Sequence, residues 1–258
     1  MDSNIGLTGT TRQVPCIAMK DVTFAFGARA PVLAVSDLTV AAGEKVFVHG
    51  PSGSGKSTLL GLIAGVLVPE NGTVEVLGHP LADLSAPHRD RLRAEHFGVI
   101  FQQFNLVPYL DLVENVLLPC RFSAARAARV GESAKAREAK AREMLVRLGL
   151  AQEVANGQVA SELSTGQQQR VAAARALIGT PSLIIADEPT SALDTDARAV
   201  FIETLLTEAK DASVVFVSHD LSLAGHFGCK ISMPEINLAA QNGSISESAA
   251  PVRQVGSV

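Results

Sequence analysis

The sequence is poor in aromatic residues, with no Trp, one Tyr and ten Phe among its 258 residues. It has only three cysteines, Cys16, Cys120 and Cys229, and they lack the close spacing of zinc ligands. An odd number of widely separated cysteines favours free thiols over a disulfide framework. No apolar run approaches the roughly 20 residues that cross a bilayer, so the sequence predicts no membrane-spanning helix.

The overall composition favours a folded globule in the cytoplasm. Hydrophobic residues make up 47% of the chain and charged residues 19%, and this length allows a sizeable core. Residues 1–12 are polar and lack the charged-then-apolar pattern of a secretory signal. The formal net charge of −4 gives no support for nucleic-acid binding.

The most informative stretch is residues 50–58, which have the phosphate-loop pattern G-x-x-x-x-G-K-[ST]. An apolar run at residues 46–48 precedes it and a helical pattern over residues 59–67 follows, as such a loop requires. Glycines let the backbone wrap an anion, and the amides and the helix N-terminus then face it. A plain Gly/Ser turn is the alternative, but the complete pattern predicts nucleoside triphosphate binding. The residues concerned are Gly50, Pro51, Ser52, Gly53, Ser54, Gly55, Lys56, Ser57 and Thr58.

Two later apolar runs end in polar groups of the kind that act on a bound triphosphate. Residues 182–188 predict a central parallel strand, buried on both faces, that ends in Asp187 and Glu188. Ligands bind at this end of such strands, so Asp187 would hold Mg²⁺ and Glu188 would orient or deprotonate water. A capping pair at the strand end is the alternative. Residues 213–217 predict the next strand, with His219 just beyond it.

Other segments are less specific on their own. Phe26 in a Gly-flanked turn could stack on a purine ring or plug the core, and position alone favours the plug. Ser164 predicts a helix N-cap that suits a phosphate or simply caps the helix. Residues 105–118 read as a loop whose apolar groups could meet a partner. The basic residues within the helical stretch 123–148 predict a solvated face rather than a partner surface. Further strands are expected at residues 17–24, 32–40, 73–77 and 97–103, and a short helix at 89–95.

Taken together, these motifs resemble the ATP-binding cassette family, over about residues 17–227. The family's motifs occur in order: Phe26 as the aromatic loop, residues 50–58 as Walker A, Gln102 as the Q-loop, residues 163–167 as the signature, Asp187 and Glu188 as Walker B, residues 191–194 as the D-loop and His219 as the switch histidine. The signature followed shortly by Leu-Ile-Ile-Ala-Asp-Glu-Pro-Thr-Ser-Ala-Leu-Asp is specific to cassettes.

The resemblance implies roles for these residues in ATP hydrolysis with Mg²⁺. Phe26 would stack on adenine, while Ser57, Gln102 and Asp187 would order the metal ion. Glu188 would polarise the attacking water and His219 would fix the γ-phosphate. Two cassettes would close head to tail, and the facing subunit would supply the remaining nucleotide contacts: Ser164, Gly166, Gln167 and Asp194. Thr165 departs from the family's glycine at the signature, which would matter if that position needed a positive φ.

The resemblance also implies a fold and a setting. The fold is α/β, a P-loop NTPase (RecA-like) parallel-sheet core with an N-terminal antiparallel β subdomain and an inserted α-helical subdomain. One ATPase domain would cover residues 16–245, with a core lobe at 16–87 and 163–230 and a helical lobe at 88–162. Residues 1–15 would be a disordered leader and 246–258 a flexible tail. The tail beyond Phe227 lacks a clear form of the family's closing strands.

The expected partners are a second cassette, usually an identical copy, and an integral membrane permease on a separate chain that receives the loop 104–109. The protein would then lie on the inner face of the cell membrane. Within the family, Phe-Gln-Gln-Phe-Asn-Leu-Val-Pro is most similar to the lipoprotein-release and macrolide-export group, which favours an exporter or extractor of lipoprotein, peptide or drug-like cargo. One alternative is a cassette that transmits force to a membrane partner without transport, as in cell-division control. A soluble cassette acting on ribosomes or DNA is less favoured.

Overall fold

A computed structural model of the chain describes residues 14–191 and 193–239, apart from the side chain of residue 196. Nine strands are described: β1 Ile17–Phe24, β2 Leu33–Val40, β3 Lys45–His49, β4 Asn71–Val76, β5 His79–Pro80, β6 Phe97–Ile100, β7 Leu183–Asp187, β8 Ser213–Val217 and β9 Cys229–Ser232. Nine α-helices are described: α1 Lys56–Ile63, α2 Ala86–His96, α3 Leu112–Phe122, α4 Ala124–Val130, α5 Ala134–Arg147, α6 Ala151–Ala155, α7 Thr165–Leu177, α8 Thr195–Glu208 and α9 Met233–Ile236. Short 3₁₀ turns lie at Leu81–Asp83, Ala160–Glu162 and Leu221–His226.

The larger sheet is parallel and has the strand order β6-β7-β8-β3-β9. Its central strands, β7 and β8, are buried almost throughout, as their continuous apolar runs predict. Helices cover both faces of such a sheet, which leaves the edge formed by the carboxyl ends of its strands (the carboxyl edge) open for ligands. The phosphate loop after β3, Asp187 at the end of β7 and His219 after β8 therefore come to the same edge.

A second, antiparallel sheet has the strand order β2-β1-β4-β5. β1 and β2 pair directly from Ile17 opposite Val40 to Phe24 opposite Leu33, which makes the turn between them a hairpin that carries Phe26. The inward residues of this sheet share a core with α1 and the adjoining side of the parallel sheet. The expected strands in this part of the chain are present, and the expected fold class is confirmed.

One predicted helix of the helical lobe is interrupted. The expected helix over residues 123–148 is split at Gly131, where Ser133 caps a new helix, α5. α5 ends at Arg147, and Gly149 follows with a φ of 76°. This conformation closes the helix end, where the Gly149 amide donates to Val146 O and the Leu150 amide donates to Leu145 O. Glycine is favoured there because a side chain would be strained at that φ.

Two expectations for the helical lobe are wrong. Residues 105–118 are a loop only in their first half, because Asp111 and Glu114 form a capping box that starts α3, whose Leu112 and Val116 are buried. The basic stretch is a solvated face only in part, because Arg126 is 1% exposed. Its guanidinium donates to Phe97 O at 2.6 Å, Ala176 O at 2.8 Å and Ile178 O at 2.9 Å, and burial lowers its pKa to about 10.

The end of the described chain corrects another expectation. The residues beyond Phe227 form β9, which pairs in parallel with β3, and then α9, whose Met233 is fully buried. The predicted tail 246–258 and residues 1–13 of the predicted leader lie outside the described residues. Cys16, Cys120 and Cys229 are free thiols, as expected. Within residues 14–191 and 193–239, no helix has both the length and the apolar character needed to cross a membrane.

Candidate nucleotide site

A cavity of about 590 Å³ lies at the carboxyl edge of the parallel sheet. Four segments that the sequence singled out meet there. They are the phosphate loop, Gln102 in the segment after β6, the end of β7, and His219 in the segment after β8. The lining residues are Val32, Ser52, Gly53, Gly55, Lys56, Ser57, Thr58, Gln102, Asp187, Glu188 and His219. Only Val32 among them was not predicted.

The phosphate loop takes the wrapped shape that its glycines predict. Gly53 and Gly55 have φ values of 78° and 95°, and Gly55 is the N-cap of α1. No side chain caps α1, so its N-terminal amides remain available to an anion. Lys56 Nζ donates to Gly50 O at 2.8 Å and to Pro51 O at 3.0 Å, which keeps the ammonium group over the loop.

Asp187 is held beside a second carboxylate in a partly buried position. Burial and, secondarily, the charge of Glu188 raise the pKa of Asp187, while Lys56 and the Ser57 hydroxyl lower it in part. A cation bound at this point would stabilise the ionised carboxylate. Carboxylate, hydroxyl and amide oxygens suit Mg²⁺, so Asp187, Ser57 and Gln102 fit the expected ion. Within the described residues, no group of three or more His, Cys, Asp and Glu side chains forms a metal cluster.

Glu188 has a strained backbone, and its side chain contacts His219. Its φ is 47°, an uncommon value for a residue with a Cβ, and its amide donates to Val217 O at 2.9 Å. The Oε2 atom lies 2.5 Å from Nδ1 of His219. His219 is well exposed, whereas Glu188 is largely buried, and both side chains line the cavity.

The residues near His219 fix the segment that carries it. Asp220 accepts hydrogen bonds from Ser222 and, at 2.7 Å, from Arg198. The bonds from Ser222 and, to a smaller extent, the bond and charge of Arg198 lower the pKa of Asp220. Arg198 belongs to α8, which follows the D-loop. The loop after β8 is therefore attached to the D-loop helix by an ion pair. Sequence reasoning missed this contact because the two residues are remote in the chain.

Phe26 lies in the β1–β2 hairpin and does not line the phosphate cavity. Its ring is 50% exposed and meets Phe24 edge to face at a centroid distance of 4.9 Å. Half exposure contradicts the core-plug interpretation that its position favoured. Val32, at the other end of the same hairpin, does line the cavity.

The remaining predicted nucleotide contacts, Ser164, Gly166, Gln167 and Asp194, lie away from this cavity. Ser164 is exposed and forms the N-cap of α7 in a capping box with Gln167, as its sequence position predicts. Gln167 also donates to Glu153 Oε1 at 2.6 Å, a contact that sequence reasoning missed. Asp194 caps α8 through a 2.8 Å bond from the Ala197 amide.

The unusual Thr165 fits its backbone without strain. It is the first residue of α7 and is absent from the described non-glycine residues with positive φ. A Cβ on Gly166 would meet only Leu193 Cδ2, at an ordinary 3.5 Å. Neither residue therefore needs to be glycine for the fold of one protomer.

Asn237 is a further residue that sequence reasoning did not find. It follows α9, is 1% exposed and donates a 3.0 Å hydrogen bond to the carbonyl of Ser54 in the phosphate loop. The only sequence signal for it is its place after residues 229–232, which form β9 but for which the sequence predicts no element.

Comparison with known proteins agrees with this geometry. A profile of the family described as "ABC transporter" matches residues 33–191. The chain is 36% identical to the macrolide export ATP-binding/permease protein MacB of Rhodopseudomonas palustris, over 98% of this chain and 37% of that protein. It is 40% identical to the ABC transporter ATP-binding protein YtrE of Bacillus subtilis, over 76% of this chain and 83% of that protein.

Solved structures give the same result. A dimeric ATP-binding cassette in a post-hydrolysis state, bound to ADP and phosphate, superposes with a TM-score of 0.73 at 37% identity. The match covers 84% of this chain and 93% of that one. The chain spans about a third of the length of the export ATP-binding/permease relatives that it matches.

Proposed function

The chain belongs to the ABC transporter family and is an ATPase cassette of that family; on this premise, we propose that it powers export by hydrolysing Mg²⁺-ATP between two cassettes. The observation that carries the proposal is the convergence of the phosphate loop, Asp187, Glu188 and His219 on one cavity. Each of these groups has a defined task in phosphoryl transfer, which depends mainly on positioning and charge stabilisation.

The phosphates would bind at the loop. Its amides and the N-terminus of α1 would face the phosphate oxygens, and Lys56 would exchange its two loop carbonyls for the β- and γ-phosphates. Ser57, Gln102 and Asp187 would hold Mg²⁺, which when bound neutralises charge on the phosphate oxygens. Phe26 would stack on the adenine ring from its exposed position in the hairpin.

Glu188 and His219 would act on the attacking water. The carboxylate of Glu188 is the group placed to orient the water and accept its proton. The imidazole of His219 would hold that carboxylate in place through the contact between Nδ1 and Oε2. In this arrangement His219 would also contact the γ-phosphate. The positions of Glu188 and His219 would therefore both depend on that phosphate group.

A dimer accounts for the residues that lie outside the cavity. Ser164 is exposed at the N-terminus of α7, a position with free amides and a favourable dipole for a phosphate. The fold of one protomer does not require a glycine at position 166. The close approach of another molecule is therefore a reason for glycine at this position. We propose that Ser164, Gly166, Gln167 and Asp194 complete the ATP site of a second copy. The dimeric cassette structures support this arrangement.

The membrane partner would dock beside the residues that follow β6. A groove of about 680 Å³ opens there between α2, β6, α3 and α7, and Phe101 and Phe122 are exposed along it. Arg91, Arg93 and Arg175 add positive charge to the groove. We propose that a permease on a separate chain occupies it and holds the cassette at the inner face of the membrane. The match covers 83% of YtrE, whose name describes an ATP-binding protein, and this match supports the proposal of a separate permease chain.

The cargo class is proposed from the relatives alone. The names of MacB and of the pyoverdine export protein PvdT of Pseudomonas aeruginosa describe export. Substrates that a permease extracts from the membrane or periplasm, such as lipoproteins, peptides or drug-like molecules, fit this group.

The direct test is ATP hydrolysis by the purified chain, alone and reconstituted with the permease that co-purifies with it. We expect Mg²⁺-dependent phosphate release that Lys56→Ala abolishes and that rises when the permease is present. Cargo movement into or out of vesicles would separate transport from force transmission. Full hydrolysis by a strictly monomeric protein would contradict the proposed dimer site.

A further inference from the structure

Asn237, the residue that follows α9, is bonded to two separate parts of the nucleotide site. Its Nδ2 atom donates to Ser54 O and to Val32 O, each at 3.0 Å. Its Oδ1 atom accepts from the Ala34 amide at 2.9 Å and from the Ala239 amide at 3.2 Å. An asparagine side chain has two donor hydrogens and two acceptor lone pairs, so this amide is fully used.

The two bonded segments meet the nucleotide on different sides. Ser54 lies in the phosphate loop between Gly53 and Gly55, both of which have positive φ. Val32 and Ala34 flank the first residue of β2, at the end of the hairpin that carries Phe26, and Val32 lines the cavity. A single buried side chain therefore joins the phosphate end of the site to the hairpin beside it.

The bond to Ser54 also fixes the direction of one loop amide. In a planar trans peptide the carbonyl and the N–H point in opposite directions. Because Asn237 holds the Ser54 carbonyl on its own side, the N–H of Gly55 points the other way, towards the cavity that Gly55 lines. A peptide flip would remove this donor from the phosphates, and Asn237 opposes that flip.

Two glycines of the loop make the close packing possible. A Cβ on Gly55 would lie 3.1 Å from Asn237 Nδ2, and a Cβ on Gly50 would lie 2.8 Å from Met233 Cβ. The segment from Met233 to Asn237 is thus packed against both ends of the phosphate loop. This contact gives the loop a rigid support on the side away from the ligand.

We propose that Asn237 is a positioning residue for ATP, which acts by holding the Ser54–Gly55 peptide and the β2 end of the hairpin in their nucleotide-binding arrangement. The proposal rests on the proposed function, since it concerns the same site. It assigns a task in nucleotide binding to the segment from Met233 to Asn237.

Asn115 provides a matched control within the same chain. It is also fully buried, donates from Nδ2 to Val107 O, Leu110 O and Asp111 O, and accepts from the Val107 amide. These bonds lie in the helical lobe and touch no residue of the phosphate loop. Asn115→Ala should therefore destabilise the fold about as much as Asn237→Ala without changing the affinity for nucleotide.

The test measures the Kd for Mg²⁺-ATP in the Glu188→Gln background, which prevents consumption of the ligand. We expect Asn237→Ala and the isosteric Asn237→Asp each to raise the Kd about tenfold, because both lose the two N–H donors. Asn115→Ala should leave the Kd within twofold of the parent. A folded Asn237 variant with the parent's Kd, or an equal loss in Asn115→Ala, would overturn the proposal.

A measurement on the unmutated side chain covers the case in which the variants fail to fold. If ATP needs the Asn237 bonds, then bound ATP must strengthen them, because coupling between two equilibria is reciprocal. Hydrogen exchange at the Ala34 and Ala239 amides should slow when ATP binds, while exchange at the Val107 amide should not. Unchanged exchange at Ala34 and Ala239 would refute the role.

The two possible failures are distinguishable. If the Glu188→Gln parent does not bind ATP, or binds it equally well after Lys56→Ala, the proposed function fails and the role of Asn237 fails with it. If the parent binds ATP through Lys56 and Asn237 has no effect on affinity or exchange, only the role of Asn237 is refuted.

Discussion

His219 Nδ1 lies 2.5 Å from Glu188 Oε2, so the residues that follow the two central strands are joined directly. Glu188 holds this contact with a backbone φ of 47°. Strain of this kind persists where the surrounding structure fixes a residue for a task. The task we assign is to keep the carboxylate aimed at the attacking water, with His219 as its support.

Glu188→Gln should retain ATP binding and lose hydrolysis. The amide keeps the size of the side chain but cannot accept a proton, and general-base catalysis contributes about 10²–10⁴-fold. Phosphate release should fall by at least about 100-fold, and ATP should trap a dimer detectable by size-exclusion chromatography. Glu203→Gln, an exposed site on α8, is the control and should hydrolyse ATP normally. Near-normal turnover in Glu188→Gln would remove the general-base role.

Ser164→Ala should lower the hydrolysis rate with little loss of ATP affinity, because its phosphate belongs to the other protomer. Mixed dimers that also carry Lys56→Ala make this measurable. If each site combines two protomers, both changes on one protomer impair both sites, whereas changes on different protomers leave one site intact.

The opposite result would place the site within a single protomer. In that case, both changes on one protomer would leave its partner fully active, with about half of the wild-type rate per dimer. Phosphate release from the two kinds of mixed dimer, prepared with different affinity tags, distinguishes the arrangements.

Arg126→Met should destabilise the protein strongly. The change leaves Phe97 O, Ala176 O and Ile178 O without their buried donor, and bonds to charged groups contribute about 1.5–3 kcal/mol each. We expect the free energy of unfolding to fall by about 3 kcal/mol or more. Arg142→Met removes an exposed pair with Glu138 and should cost under about 1 kcal/mol. Urea unfolding of both variants tests this difference.

Gly98→Ala should disturb the contact between β6 and α7. A Cβ there would lie 2.3 Å from Ala176 O, which no small adjustment relieves. β6 leads to Gln102 and α7 begins at the signature, so we expect lower stability, by about 1–3 kcal/mol, together with slower hydrolysis. Gly225→Ala, which meets nothing within 4 Å, is the control. A normal melting temperature for Gly98→Ala would contradict the packing.

The core of the site could be predicted because its signals are local. The phosphate loop, the apolar strand before Asp187 and the N-cap at Ser164 each depend on a few consecutive residues whose geometry the backbone dictates. Their presence at one edge followed from the parallel sheet that those strands imply. The start of α3 was equally local, since Asp111 and Glu114 form a capping box, and it was missed because the apolar residues after it suggested a partner-binding loop.

The sequence by itself determined nearly all of the residues that line the cavity, since the spacing of glycines, Lys56 and Ser57 fixes the shape of the phosphate loop. Only the tertiary structure decided that Arg126 is buried among carbonyl groups, that Arg198 secures Asp220 and that Asn237 supports the phosphate loop. Each of these contacts joins residues far apart in the chain, and no local pattern encodes it. These contacts stabilise the protein because water is excluded from the polar groups that form them. Water is excluded there only after the chain has folded.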